Sequence, residues 1–179
     1  YPELVKCSLG MYPLDAIGLD VDPETVGMTR KIKSFDVDAE LQRMELLADK
    51  CVAIGEVGLD AKFTKDEAIM RKQKDVFQKI LDLAERTKKP IIVHSRSAEQ
   101  ECIEMIETAT LKGVVMHCFG GRKAMVRRAA DNGWFFSIPP VITRLNHFEM
   151  VVGLVPFEQL LTETDAPWLG PIAGQTNEP

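Results

Sequence analysis

Six short apolar runs separated by longer amphipathic stretches constrain the fold of this chain more than any other feature. The runs are Leu4–Gly10, Cys51–Leu59, Pro90–His94, Gly113–Phe119, Trp134–Ile138 and Leu160–Thr164. Several are apolar at consecutive positions rather than at alternate ones, a pattern that suits parallel strands covered on both faces. The stretches between them carry the helical period. Lys65–Lys88 puts Ile69, Val76, Phe77, Ile80, Leu81 and Ala84 on one face, opens with Thr64 and Glu67 at capping-box spacing and stops before Pro90. Glu99–Thr108 turns Cys102, Ile103 and Ile106 inward, and Arg122–Asp131 is closed by Asn132-Gly133. Asp22–Lys50 reads as helical in its second half, with Leu41, Met44, Leu47 and Ala48, and as less regular before that.

Repeated βα units argue for an α/β chain with a parallel sheet. A closed eight-stranded barrel takes about 250 residues. With 179 residues, the chain is either an open sheet or a barrel lacking two strands. The formal net charge of −5 excludes the strongly basic surface that extended duplex binding uses. No run of about 18 apolar residues is present to span a bilayer, and no signal-peptide pattern opens the chain. Cys7, Cys51, Cys102 and Cys118 form no C-x-x-C pair and are expected to be reduced, mostly buried thiols of a cytoplasmic protein.

The chemistry concentrates at strand ends. His94 closes Pro90-Ile91-Ile92-Val93, and His117 closes Val114-Val115-Met116. Glu56 comes late in Cys51-Val52-Ala53-Ile54-Gly55, and Asp165 follows Leu160–Thr164. In (β/α) barrels the C-terminal strand ends carry the function, and parallel strands bring those ends together. Two imidazoles and two carboxylates are a usual ligand set for a divalent ion such as Zn or Mn. Each residue also has a plainer reading: a strand-end histidine satisfied by a neighbour, a structural Glu56, an Asp165 that turns the chain before Ala166-Pro167. Four ionisable groups after four apolar strands are costly without partners, however, and one shared site accounts for all of them. Arg96 suits an anionic substrate and Trp168 a stacked base, with surface placement and rim packing as equal alternatives. Gly120-Gly121 allows either a close phosphate or a turn. His147 is expected in a loop. Cys118 is set aside as a nucleophile because strand alternation points it away from the side that His117 faces.

Four segments then resemble one family. Gly55-Glu56-Val57-Gly58-Leu59-Asp60 resembles the G-E-I/V-G-L-D motif of TatD-type metal-dependent deoxyribonucleases. Pro90-Ile91-Ile92-Val93-His94-Ser95-Arg96 is similar to their P-V-x-x-H-x-R strand, His117–Gly121 to H-C-F-S/T-G, and Glu163–Leu169 to E-T-D-A/S-P-Y/F/W-L. The motifs come in the family's order and span nearly the whole chain. The resemblance implies an α/β fold of the TIM (β/α)8 type, with about six of eight strands present in a single, incomplete domain over residues 1–179. It implies a site for two divalent ions (Mg, Mn or Zn), in which Glu56 bridges, His94 and His117 complete one ion, and Asp165 binds the other and orients the attacking water. Glu56 and Asp165 are thus the expected catalytic residues. The implied reaction is hydrolysis of DNA phosphodiesters, in the 3′–5′ direction, from single strands or 3′ ends. Two departures stand out. No H-x-H occurs, although the family opens with a strand ending in one. Tyr12, in Gly10-Met11-Tyr12-Pro13, replaces a histidine that would face the site and so joins Arg96 and Trp168 as a candidate substrate contact. Hydrolysis of a small ester, lactone or amide on the same barrel is the alternative, and a non-catalytic relative the third reading.

Overall fold

The computed structural model describes residues 1, 3–18 and 35–178. Six parallel strands run in chain order as one sheet, β1-β2-β3-β4-β5-β6: Ser8–Leu9, Ala53–Gly58, Ile91–His94, Val114–Met116, Phe135–Ile138 and Leu160–Thr162. Among the described residues, the α-helices between them are α1 (Pro13–Ala16), α2 (Val37–Leu47), α3 (Glu67–Thr87), α4 (Glu99–Ile106), α5 (Lys123–Asp131) and α6 (Asn146–Leu154). Strictly sequential parallel pairing is what repeated βα units with right-handed crossovers generate. No helix among the described residues is long and apolar enough to cross a membrane.

The strands alternate more than their composition suggests. Val93, Met116 and Phe136 are fully buried and lie side by side in register, on the face the helices cover. Their neighbours Ile92, Val115 and Phe135 form a second, only partly buried row on the other face. Covering on both faces, expected from the apolar runs, is therefore only partly met. The first run also shortens: of Leu4–Gly10 only Ser8–Leu9 forms a strand, and Leu4 and Val5 are exposed.

Helix α3 is the main cover of the sheet. It buries Phe77, Ile80, Leu81, Leu83 and Ala84, each side chain the size of Leu or larger contributing about 1.5–3 kcal/mol on leaving water. Its start differs from the expected capping box. Asp66 is the N-cap, its carboxylate accepting from Ala68 N and Ile69 N, while Thr64 Oγ1 accepts from Asp66 N. A carboxylate at the cap also meets the positive end of the helix dipole, which a hydroxyl cannot match. Helix α6 arises where a polar loop was expected. It has no side-chain cap to announce it, and it folds because Phe148 and Val151 bury one face. His147 thus belongs to a first helical turn, and its Nε2 meets the Phe119 carbonyl at 2.8 Å. The second half of Asp22–Lys50 is helical as expected, in α2; the part before residue 35 lies outside the described residues.

Candidate metal centre

Alternation carries the partly buried row of the sheet onward into polar groups. Two residues beyond Ile92 comes His94; beyond Val115, His117; beyond Phe135, Ser137; and beyond the exposed Leu161 on the last strand, Glu163. Three strands thus set His94, His117 and Ser137 at one height on one face, and Glu163 stands two residues past the register partner of Ser137. Glu56 reaches the same place differently. Ile54 pairs with Ile91 but Val57 pairs with Val93, so β2 spends one more residue than β3 over that interval. This bulge re-aims Glu56, leaving it exposed between buried neighbours. Gly55 makes the bulge possible, since a Cβ there would lie 2.5 Å from that of Ile92, and Gly58 (φ +135°) would drive a Cβ into the His94 carbonyl.

Glu56, His117 and Asp165 converge, each offering one ligand atom, with all three atoms within 4.8 Å of one another. His117 Nε2 lies 3.1 Å from Glu56 Oε1 and 3.4 Å from Asp165 Oδ1. His94 stands just outside this group, with Nδ1 3.7 Å from Glu56 Oε2. These residues floor a cavity of about 1050 Å³, which Tyr12, Phe63, Arg96, Cys118 and Trp168 also line.

Behind each imidazole stands a carboxylate that the motifs contained but to which sequence reasoning gave no role. Glu163 Oε2 lies 2.5 Å from His117 Nδ1 and accepts from Ser137 Oγ at 2.5 Å. When the ring is neutral, Nδ1–H donated to Glu163 turns the Nε2 lone pair toward Glu56 and Asp165, the tautomer that a metal ligand needs. Asp60, wholly buried, takes His94 Nε2 at 3.0 Å and leaves Nδ1 toward Glu56. Gln73 clasps the Asp60 main chain from α3, accepting from its N–H at 2.8 Å and donating to its carbonyl at 2.9 Å. The signal was present for both acids: Glu163 stands two residues before Asp165 at a strand end, and Asp60 directly follows a buried leucine.

Electrostatics sharpen the picture. Burial alone would lower the His117 pKa, but Asp165, Glu163 and Glu56 outweigh it and push it up to about 10. Burial disfavours the Glu56 charge, yet the His94 and His117 imidazoles hold its carboxyl below the ordinary value. Among the described residues, Glu56, Glu163 and Asp165 find their ion-pair partners only in the two histidines. Glu163 Oε1 is buried with no hydrogen-bond partner. Three carboxylates around one or two imidazoles leave surplus negative charge. Oxygen and imidazole donors of this kind fit a divalent cation, so the residues present suit the metal that the sequence motifs imply.

The candidate substrate contacts are placed less simply. Arg96 lines the cavity, but its guanidinium is engaged: Nε and Nη2 donate to Asp60 Oδ2 at 2.9 and 2.6 Å, and it stacks 4.7 Å over the Phe63 ring. Tyr12 donates to the same oxygen at 2.6 Å and packs edge-on against His94, with ring centroids 5.2 Å apart. Burial first, and then Asp60, push the Tyr12 phenol far above its ordinary pKa, which keeps it a donor. Trp168 is 40% exposed at the rim. Gly120 also borders the cavity, but Glu99 Oε1 lies 2.9 Å from where its Cβ would be, which works against an anion cradle there. Cys118 corrects an expectation. β4 ends at Met116, the alternation carries only one residue further to His117, and Cys118 (φ +43°) turns into the cavity. Burial and the nearby carboxylates raise its thiol far above the ordinary value, so it remains a thiol and no nucleophile.

The sequence profile described as TatD related DNase matches residues 1–179, the whole chain. The chain belongs to the TatD-related DNase family. Its relatives include the human protein named deoxyribonuclease TATDN3, 34% identical over 181 aligned positions that cover all of this chain and 64% of the relative. A Mycobacterium tuberculosis protein named uncharacterized metal-dependent hydrolase TatD is 36% identical over 79% of this chain and 56% of its own length. The crystal structure of the Escherichia coli TatD homologue YjjV superposes with a TM-score of 0.77 at 25% identity, covering 99% of this chain and 64% of that one. The chain therefore spans 56–64% of the length of these family members, and its fold is of their TIM-barrel type.

Proposed function

We propose that this protein is a divalent-metal-dependent phosphodiesterase that trims DNA in the 3′–5′ direction from single-stranded or 3′ ends, as one barrel domain working in the cytoplasm. The observation that carries the reading is the meeting of Glu56, His117 and Asp165, from three separate strands, within 4.8 Å on a cavity floor. In this reading Glu56 would be shared between two ions, His94 and His117 would hold one of them, and Asp165 the other. When bound, such a pair of ions lowers the pKa of water and stabilises the attacking and leaving oxygens of an in-line displacement. The chain's own groups do the rest. Asp165 accepts the proton of the attacking water and orients it. Glu163 and Ser137 keep the His117 ring from turning, and Asp60 does the same for His94. The outer edge of the Arg96 guanidinium offers donors to the scissile phosphate, Tyr12, its hydroxyl hydrogen given to Asp60, walls the substrate's place beside His94, and Trp168 gives a terminal base a face to stack on.

The deciding experiment measures mononucleotide release from 3′-labelled single-stranded DNA by the full-length protein, with Mg, Mn or Zn and with chelator. Metal-dependent release that disappears in Glu56→Ala is the expected result. Intact DNA alongside cleavage of a model ester or lactone would transfer the site to small-molecule hydrolysis.

A further inference from the structure

The end of the sheet opposite the cavity carries a pair of thiols that the reaction does not use. Cys7 lies one residue before β1 and Cys51 two residues before β2. The surrounding main chain is fixed: Ser8 pairs with Ala53, Val52 N–H donates to the Cys7 carbonyl at 3.0 Å, and Lys89 Nζ donates to the Cys51 carbonyl at 2.9 Å. Across this frame the two Sγ atoms stand 3.6 Å apart. Both cysteines are free; Cys7 is exposed, whereas Cys51 is only 6% accessible. The other two thiols are placed differently, Cys102 on the buried face of α4 and Cys118 in the cavity wall.

We propose that Cys7 and Cys51 form a reversible disulfide by exchange with small-molecule disulfides of the glutathione class. The exposed thiol meets the oxidant and the buried one resolves the product. The Cys7 thiolate attacks one sulfur of oxidised glutathione, forming a mixed disulfide and expelling one glutathione thiolate, which takes up the proton that Cys7 gave to solvent. Cys51, deprotonated in turn, attacks the Cys7 sulfur and expels the second glutathione thiolate, which is likewise protonated. Two protein thiols thus lose two electrons and two protons, and one glutathione disulfide becomes two glutathiones. The sulfurs must approach by about 1.5 Å to reach bonding distance, a shift that rotation of the exposed Cys7 side chain supplies.

The bond would pin the outer strand β1, only two residues long, to β2 across a span of 44 residues. Loop closure of that size raises Tm by roughly 5–15 °C in a chain of this length. β1 leads directly to Gly10, Met11 and Tyr12 in the cavity wall, so oxidation also steadies one side of the site from below.

The test treats the full-length protein with oxidised glutathione in the presence of chelator, so that its outcome is independent of metal and of nuclease activity. Trypsin cuts after Lys6 and Lys50 and releases Cys7 and Cys51 in separate peptides, 7–30 and 51–62. The expected result is a cross-linked pair of these peptides, lighter by about 2 Da than the reduced pair. It should return to two peptides with dithiothreitol and accompany the rise in Tm. In Cys51→Ser, glutathione should remain attached to Cys7. Wild-type protein that accumulates only the glutathione adduct on Cys7, or cross-links through Cys102 or Cys118, or gains no linkage, overturns the proposal. The wild-type peptide map decides even if a serine variant fails to fold.

Discussion

Glu163 and Asp60 set the two imidazoles, and their removal separates positioning from ligation. Glu163→Gln keeps the shape but weakens the acceptor at His117 Nδ1. Metal affinity measured by competition with a chromophoric chelator should fall roughly 10–100-fold with the circular dichroism spectrum unchanged; an unchanged affinity would exclude the role. Asp60 binds His94, Arg96 and Tyr12 through one oxygen. Burial opposes its charge, but these partners outweigh burial and hold its carboxyl well below the ordinary range. Its folded-state pKa lies below its unfolded one, so the stabilisation is present above about pH 4 and fades as pH falls toward the folded value. Asp60→Asn should cost on the order of 2–3 kcal/mol at pH 7, less than for a fully buried pair because the Arg96 side chain is 44% exposed. Denaturant titrations at pH 7 and pH 3 should show the gap between variant and parent narrowing in acid. A gap of constant size would mean that the Asp60 charge is not what stabilises the network.

At the scale of elements, β2 carries the most consequential irregularity. Gly55→Ala places a methyl 2.5 Å from Ile92 Cβ, an overlap that should cost about 1–3 kcal/mol. If the bulge slips to relieve it, Glu56 leaves the cluster, and metal binding should fall further than stability does. Calorimetry on the folded variant reads both, and full metal binding would show that the bulge does not aim Glu56. This element also marks the limit of what the sequence discloses. The apolar runs disclosed five of the six strands to within a few residues, and the motif-bearing ends disclosed Glu56, His94, His117 and Asp165 as one neighbourhood. The bulge itself was illegible, because a register shift is a property of two strands and is written in neither alone. Helix α6 escaped for a related reason: its polar first turn hides an apolar face that matters only once the core is there to receive it. Asp60, Glu163 and Ser137 were missed because a supporting group is defined by the ring it touches, not by its own segment.

For the molecule as a whole, a cation held by strands as far apart as β2 and β6 should clamp the sheet across most of its width. A ligand that binds only the folded state stabilises it by about 2.7 kcal/mol at a hundred times its Kd, roughly 5–10 °C in Tm for a chain of this size. Thermal melts with Mn or Zn should show that rise and chelator should reverse it; an equal rise in Glu56→Ala would place the binding elsewhere. The strictly sequential strand order has a consequence for biosynthesis. Ribosomes deliver β2, β3 and β4 first, and with them Glu56, His94 and His117, while Glu163 and Asp165 emerge with the last described strand. A half-made chain therefore carries an unfinished nest of ligands, and whatever reactivity the finished one confers stays silent during translation until β6 has docked beside β5.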